Sequence, residues 1–277
     1  MATKAQTRRF NTTAGSHQIQ IVKLLKGIAH KRGMSKVFAD WIEMSAIALA
    51  RLDLTQRDER EARYLQIVGQ YEREDVDALA HALSHLVMAF EECFSTAGDV
   101  AFADVLGALY MMLDLGNSDS GQFFTPYEVS RLMAGINMTG AKDFIQANGL
   151  VQLKEPAAGA GGMIVAAAQA LHEEGLNYQQ YLHATAIDID TRCVHMCFVQ
   201  LSLLHIPAIV LHGNALSNET WSTWYTPAHI LGRWGRRLEV KRAVRPAQSL
   251  IEAPKAAAEH LPHAPSILAG AGQMTLF

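Results

Sequence analysis

The chain has 277 residues, a formal net charge of −3, 49% hydrophobic and 18% charged residues, and an isoelectric point near 6.5. This length buries a sizeable core in one or two domains, and the overall charge carries no nucleic-acid signature. The longest apolar runs fall well short of the roughly 18–20 residues that span a membrane, residues 1–16 lack the apolar centre of a secretion signal, and a cytoplasmic protein is expected.

Residues 1–16 are expected to be disordered and residues 17–120 to form a helical region. From Ser35, the set Phe38, Trp41, Ser45, Ala48/Leu49 and Leu52 recurs at helical spacing. The stretch from Asp75 to Phe90 repeats this with Val76, Leu79, Leu83, Leu86/Val87 and Phe90. Both stripes read as core. The segment Gly121-Gln122-Phe123-Phe124-Thr125-Pro126 then precedes a helix start, with Thr125 as the expected N-cap, Pro126 at the first helical position and Glu128 completing a capping box.

From residue 150 to 216 the pattern alternates strand, helix, strand, helix, strand, over 150–154, 161–174, 183–188, 190–204 and 208–212. That alternation predicts crossover connections and a parallel sheet. The first strand leads into Glu155-Pro156-Ala157-Ala158-Gly159-Ala160-Gly161-Gly162-Met163. A strand, a glycine-rich turn and a helix in that order bring backbone N–H groups against a ligand. No Gly-Lys-Ser/Thr ends this turn, and Ile164 stands where a dinucleotide fingerprint needs glycine. The second strand ends in Asp188-Ile189-Asp190, and a carboxylate about twenty-five to thirty residues after such a turn suits ribose hydroxyls. Cys193 and Cys197, with His195 between them, read as buried thiols on one helical turn, with no metal site expected; with Cys93 they fit a reducing compartment.

The segment Ser217 to Pro227 reads as a helix entry, with Thr226 as cap and Pro227 at the first helical position. Arg233, Arg236, Arg237, Lys241 and Arg242 crowd one short run, a solvated face with phosphate contact as its minority reading. Leu238 to Val244 alternates as a strand would, and 246–272, rich in Ala, Pro and His, reads as a linker.

Taken together, these segments resemble the adenine-N6 DNA methyltransferases, and in particular the modification subunit of type I restriction systems. The resemblance rests on Asp104 to Tyr110, Gly121 to Pro126, Glu155 to Gly162, Ala184 to Asp190 and Ala208 to Leu216, and spans the chain from about residue 35 to residue 216. It implies an α/β fold in which an N-terminal helical region precedes a shortened Rossmann-like parallel sheet, with a cofactor-binding domain over 121–245. It also implies S-adenosylmethionine as cofactor, held by Gln122, Phe123, Thr125, Pro126, Glu155, Gly159, Gly161, Asp188, Ile189 and Asn214. Asp188 would take the ribose, Ile189 would lie on the adenine ring, and Asn214, where the family usually has Asp, would accept from the adenine amino group. The family's Asn/Asp-Pro-Pro-Tyr/Phe motif, which cradles the flipped target base, does not occur in this sequence. No catalytic residue can therefore be named, and weak or absent activity without a partner subunit is expected. The ending Gln273-Met274-Thr275-Leu276-Phe277 resembles the bacterial sliding-clamp-binding peptide, with Gln273, Met274, Leu276 and Phe277 as its anchors on a flexible tail from 246. The alternative function is a non-catalytic regulatory or adaptor module docking on that clamp; a third is a helical interaction protein whose sheet is only structural.

Overall fold

The computed structural model describes residues 15–95, 102–113, 115, 124–241 and 273–275. Its first half is helical: α1 (Ser16–Arg32), α2 (Met34–Leu49), α3 (Arg57–Val68), α4 (Arg73–Ser95) and α5 (Val105–Met112). Gly33, at φ 82°, breaks the chain between α1 and α2 in a conformation that L side chains rarely adopt. The α2 stripe is core as its spacing predicts, with Phe38, Trp41 and Ser45 buried. Leu52 is not part of it: α2 ends at Leu49, a 3-10 turn follows, and Leu52 is 44% exposed. The α4 stripe buries Leu79, Leu86 and Phe90.

The second half begins with α6 (Tyr127–Asn137) and α7 (Ala141–Asn148), then β1 (Val151–Glu155), α8 (Gly162–Glu173), α9 (Tyr178–Tyr181) and β2 (Leu182–Asp188). It continues with α10 (Thr191–Leu203), β3 (Ala208–Asn214), β4 (Glu219–Tyr225), α11 (Pro227–Leu231), a helix α12 over 234–241, and β5 (Gln273–Thr275). The sheet order is β4-β3-β2-β1-β5. Strands β1, β2 and β3 are mutually parallel, with Val151 opposite Leu182 and Ala184 opposite Ala208. β2 is buried along nearly its whole length, as a parallel strand covered on both faces must be. This is a Rossmann-like α/β fold. One apolar core runs through both halves, taking in Phe38, Trp41, Leu106 and Tyr110 together with Val151, Ala184, Phe198 and Val210. The expected domain boundary at residue 120 lies outside the described residues.

Three sequence expectations are corrected. The sheet is mixed, because β4 runs antiparallel to β3. A link of four residues, with Asn218 at φ 58°, is too short for a crossover and must reverse the chain. The helix entry at Thr226 and Pro227 is real, with Thr226 Oγ1 accepting from the His229 N–H, but Glu219 to Tyr225 before it is an edge strand. Residues 238–241 are helical, not a strand. Trp234 and Leu238, one helical turn apart, bury against Leu150, whereas Val240 is 54% exposed, so the apolar period here is four.

A further correction concerns α6. Its N-cap is Pro126, whose carbonyl accepts from the Val129 and Ser130 N–H groups, and no side chain caps it. The expected capping by Thr125 is therefore not formed.

A buried cation ties the two halves together. Arg60 on α3 donates to Asp53 at 3.0 Å, to Gln56 at 2.9 Å and to the Thr223 carbonyl of β4 at 3.1 Å. Its guanidinium also lies 4.2 Å from the Trp224 ring centre. Both partners of the Arg60–Asp53 pair are buried, so removing one strands the other away from water. Arg60→Ala is accordingly expected to cost roughly 3–5 kcal/mol in urea unfolding. A loss below about 1 kcal/mol, typical of an exposed pair, would contradict this role.

Candidate functional site

The glycine-rich turn follows β1 directly, and each of its glycines answers a specific neighbour. A Cβ on Gly159 (φ 54°) would meet the Phe124 ring at 3.1 Å. One on Gly161 (φ 91°) would meet the Cys197 thiol at 3.0 Å, and one on Gly162 would meet Asp104 Oδ2 at 2.9 Å. Two hydrogen bonds latch the turn to the end of β2. The Ala158 N–H donates to the Ile187 carbonyl at 2.9 Å, and the Gly159 N–H donates to Asp188 Oδ2 at 2.8 Å. Gly161 thus serves the packing of α8 on α10, where Cys193 and Cys197 are buried on one helix face.

Between this turn and the start of α6 lies a cavity of about 90 Å³, lined by Asp104, Phe124, Thr125, Ser130 and Glu155 together with Ala157 to Ala160, Gly162 and Met163. Glu155, the last residue of β1, is 2% exposed; its Oε1 accepts from the Ala157 N–H at 3.1 Å while its buried Oε2 has no partner. Burial pushes its carboxyl up to about 7, against the opposing pull of the Ala157 N–H. The Ser130 hydroxyl is likewise buried without a partner. Asp104 Oδ1 accepts from the Gly107 N–H and from Gln200 Nε2, both at 2.9 Å. Burial raises the Asp104 carboxyl above its ordinary range.

Of the residues expected to hold a cofactor, the structure brings Thr125, Glu155 and Gly159 to this cavity, with Asp188 latched to Gly159 on its rim. Asp188 Oδ1 also accepts from the Asp190 N–H. Ile189 is 62% exposed beside it, an open apolar shelf. Pro126 supplies only the α6 cap, and Gln122 and Phe123 lie outside the described residues. Asn214 is the last residue of β3. Its side-chain oxygen accepts from the Leu216 N–H at 2.9 Å and the Ser217 N–H at 3.4 Å, closing the β3–β4 turn. An oxygen so engaged leaves only the amide N–H₂, a donor, to face a ligand.

Sequence reasoning did not name Phe124, Ser130 or Gln200 as site residues, and gave Asp104 only as the first residue of a segment, 104–110, that carries the resemblance. Asp104 caps α5, which is legible locally, but nothing in sequence spacing links it to a turn so far downstream. Among the basic residues, Arg237 donates to the Gln180 carbonyl and lies over Trp234, while Lys241 donates to the Leu150 carbonyl. Leu150 and Gln180 precede β1 and β2, so this helix sits at the end of the sheet opposite the cavity. Arg233 and Arg236 are exposed there, and Arg242 lies outside the described residues. In the tail, Gln273 and Met274 run parallel to Gln152 and Leu153 on the free edge of β1; Leu276 and Phe277 lie outside the described residues. No helix among the described residues is long and apolar enough to cross a membrane.

Glu155 gives a signed prediction. Its folded-state pKa lies above the unfolded value, so its contribution to stability is fully present below about 4.5 and is lost as pH rises through about 7. Glu155→Gln should therefore stabilise the ligand-free protein at pH 8, by up to ~3 kcal/mol, and give no gain near pH 4. Equal effects at both pH values in chemical denaturation would contradict the ionisation argument.

Residues 101–231, just under half of the chain, match the family model described as N-6 DNA Methylase. No curated protein matches the chain. Among solved structures the chain is similar to a candidate class I S-adenosylmethionine-dependent methyltransferase from Listeria monocytogenes, with 15% identity and a TM-score of 0.39 over 74% of this chain and 56% of that one. The chain thus spans little more than half the length of that protein. The family match supports the resemblance to the adenine-N6 DNA methyltransferases, and it covers the cavity, the glycine-rich turn and β1 to β4.

Proposed function

We propose that this chain binds S-adenosylmethionine at the cavity beside the glycine-rich turn and acts as an adenine-N6 DNA methyltransferase module, similar to a type I modification subunit, whose transfer step needs a partner chain. The observation that carries this reading is the cavity itself. It lies where β1 meets α8, beside a carboxylate at the end of β2, and buried polar atoms of Glu155 and Ser130 face it without partners. These residues fit the cofactor. Asp188 retains lone pairs for ribose hydroxyls, Ile189 offers an apolar face to the adenine, and the polar recess suits the amino-acid end. The cofactor, when bound, supplies a methyl group made electrophilic by the adjacent sulfonium. The chain's part is to hold it: the Asp188 latch fixes the turn, and Phe124 packs over Gly159.

The partner requirement rests on the segment that would have to cradle adenine. Residues 219–225 form an edge strand, with Trp224 buried under Arg60 and Trp221 half exposed against His212. No Asn-Pro-Pro-aromatic string follows β3. DNA contact through Arg233 and Arg236 would be a docking interaction, since they stand at the far end of the sheet. Docking on a sliding clamp through 273–277 belongs to the non-catalytic alternative. It requires the tail to leave β1, because a backbone already paired in a sheet is not free to enter another pocket.

Calorimetric titration tests the cofactor reading. Binding of S-adenosylmethionine or S-adenosylhomocysteine is expected, weakened about tenfold or more by Asp188→Ala, which removes both the latch and the ribose acceptor. No binding of either compound would overturn it. With labelled cofactor and unmethylated DNA, the purified chain alone is expected to transfer no methyl groups to adenine, and addition of a partner subunit to restore transfer. Robust transfer by the chain alone would remove the partner requirement.

A further inference from the structure

The two faces of the sheet are covered unequally. Residues opposite each other in neighbouring strands share a face. On one face Val151 and Leu153 of β1 lie in line with Leu182, Ala184 and Ala186 of β2, Ala208 and Val210 of β3 and Trp224 of β4, and all of them join the main apolar core. The opposite face carries Lys154, Thr185, Ile209 and Tyr225 in one row and Ile187, Leu211 and Thr223 in the next. None of these seven belongs to that core. Ile187 on the central strand is buried, but the other six are half-exposed. Among the described residues, α11 and α12 reach this face at the start of β2, where His229 and Trp234 pack against His183, and His229 also touches Tyr225. Lys154 makes no hydrogen bond or ion pair with any described residue. A parallel sheet is stable when layers cover both of its faces, and here the second layer is incomplete.

We infer that residues 242–272 of this chain dock across the strands on the face that carries Lys154, Ile209 and Leu211, and complete its second layer. The ends of the segment supply the first argument. Lys241 donates to the Leu150 carbonyl, and Gln273 stands opposite Gln152, so the segment leaves and returns at the start of β1. A few residues, at about 3.3 Å each, would join those two points. The thirty-one present suffice to cross four strands spaced about 4.8 Å apart and come back. The second argument is chemical. The face offers Ile209, Leu211 and Tyr225, and the segment brings Val244, Leu250, Ile251, Leu261, Ile267 and Leu268. The face also holds an unpaired cation, Lys154, and the segment brings two carboxylates, Glu252 and Glu259. Its apolar residues follow no helix or strand period, which is why the sequence alone reads as a linker. So placed, the segment backs β1 and β2, whose ends carry Glu155 and Asp188, and it closes this face to a partner chain. The inference does not rest on the cofactor reading.

Lys255 is the one lysine or arginine between residues 246 and 272, so trypsin reports on the segment directly. Cleavage after Lys255 is timed by mass spectrometry in the full chain, in its Lys154→Glu and Leu211→Asp variants, and in a synthetic peptide of residues 246–272. Cleavage of a docked segment follows the population of its open form, so the full chain should be cut at least about tenfold more slowly than the peptide, at a rate independent of protein concentration. Lys154→Glu sets a carboxylate against Glu252 and Glu259 and should speed that cut severalfold while cuts in α1 to α4 keep their wild-type rates. Leu211→Asp, which puts a charge under the apolar residues, should speed it further. Lys154 has no partner among the described residues whose loss could loosen the fold, so its variant decides alone if Leu211→Asp does not fold. A cut in the full chain as fast as in the peptide leaves the face open to another chain and overturns the inference. Protection that neither substitution relieves places the segment elsewhere, protection that fades on dilution places it on a second copy, and either result overturns the inference as well.

Discussion

The site depends on the hydrogen bond from the Gly159 N–H to Asp188 Oδ2, 2.8 Å long and 29 residues apart in sequence. It fastens the turn after β1 to the end of β2, and it can form only because Gly159 adopts φ 54° with no Cβ against Phe124. With the turn so held, α8 begins at a fixed height above the sheet, and Ala160 lies within reach of Gln200. Gln200 in turn holds Asp104, which brings α5 of the helical half to the cavity. One carboxylate at a strand end thus organises contacts drawn from the whole described core.

The same arrangement gives the recess its polarity. Glu155 and Ser130, whose buried polar atoms have no protein partner, both line the cavity. A protein retains groups of this kind where a ligand restores what water would have supplied. Burial raises the carboxyls of both Glu155 and Asp104, because it disfavours their charged forms. The cavity is strained in its polarity, while Arg60, with three hydrogen-bond partners and a ring beneath it, secures β4 at the other edge of the sheet.

Much of this was legible in the sequence because it is local. The turn, the strand-helix alternation and the carboxylate at 188 follow from residue type and spacing over short windows, and the structure places them as expected. What was not legible depends on contacts between distant segments. Asp104 meets Gly162 only after α5 packs on α8 and α10, and Ser130 is a polar residue on a helix until its neighbours close over it. At Asn214 the N–H groups of its own turn engage the side-chain oxygen, a contact that residue type alone does not reveal. The strand at 219–225 was hidden by aromatic and polar residues whose alternation reads weakly, since an edge strand buries one face in part.

The most direct test of this account is a crystal structure of the protein grown with S-adenosylhomocysteine. The account predicts density with the ribose hydroxyls on Asp188, the adenine against Ile189 and the amino-acid end in the recess between Glu155 and Asp104. A well-ordered ligand elsewhere on the molecule, with the glycine-rich turn and the recess unchanged, would contradict it.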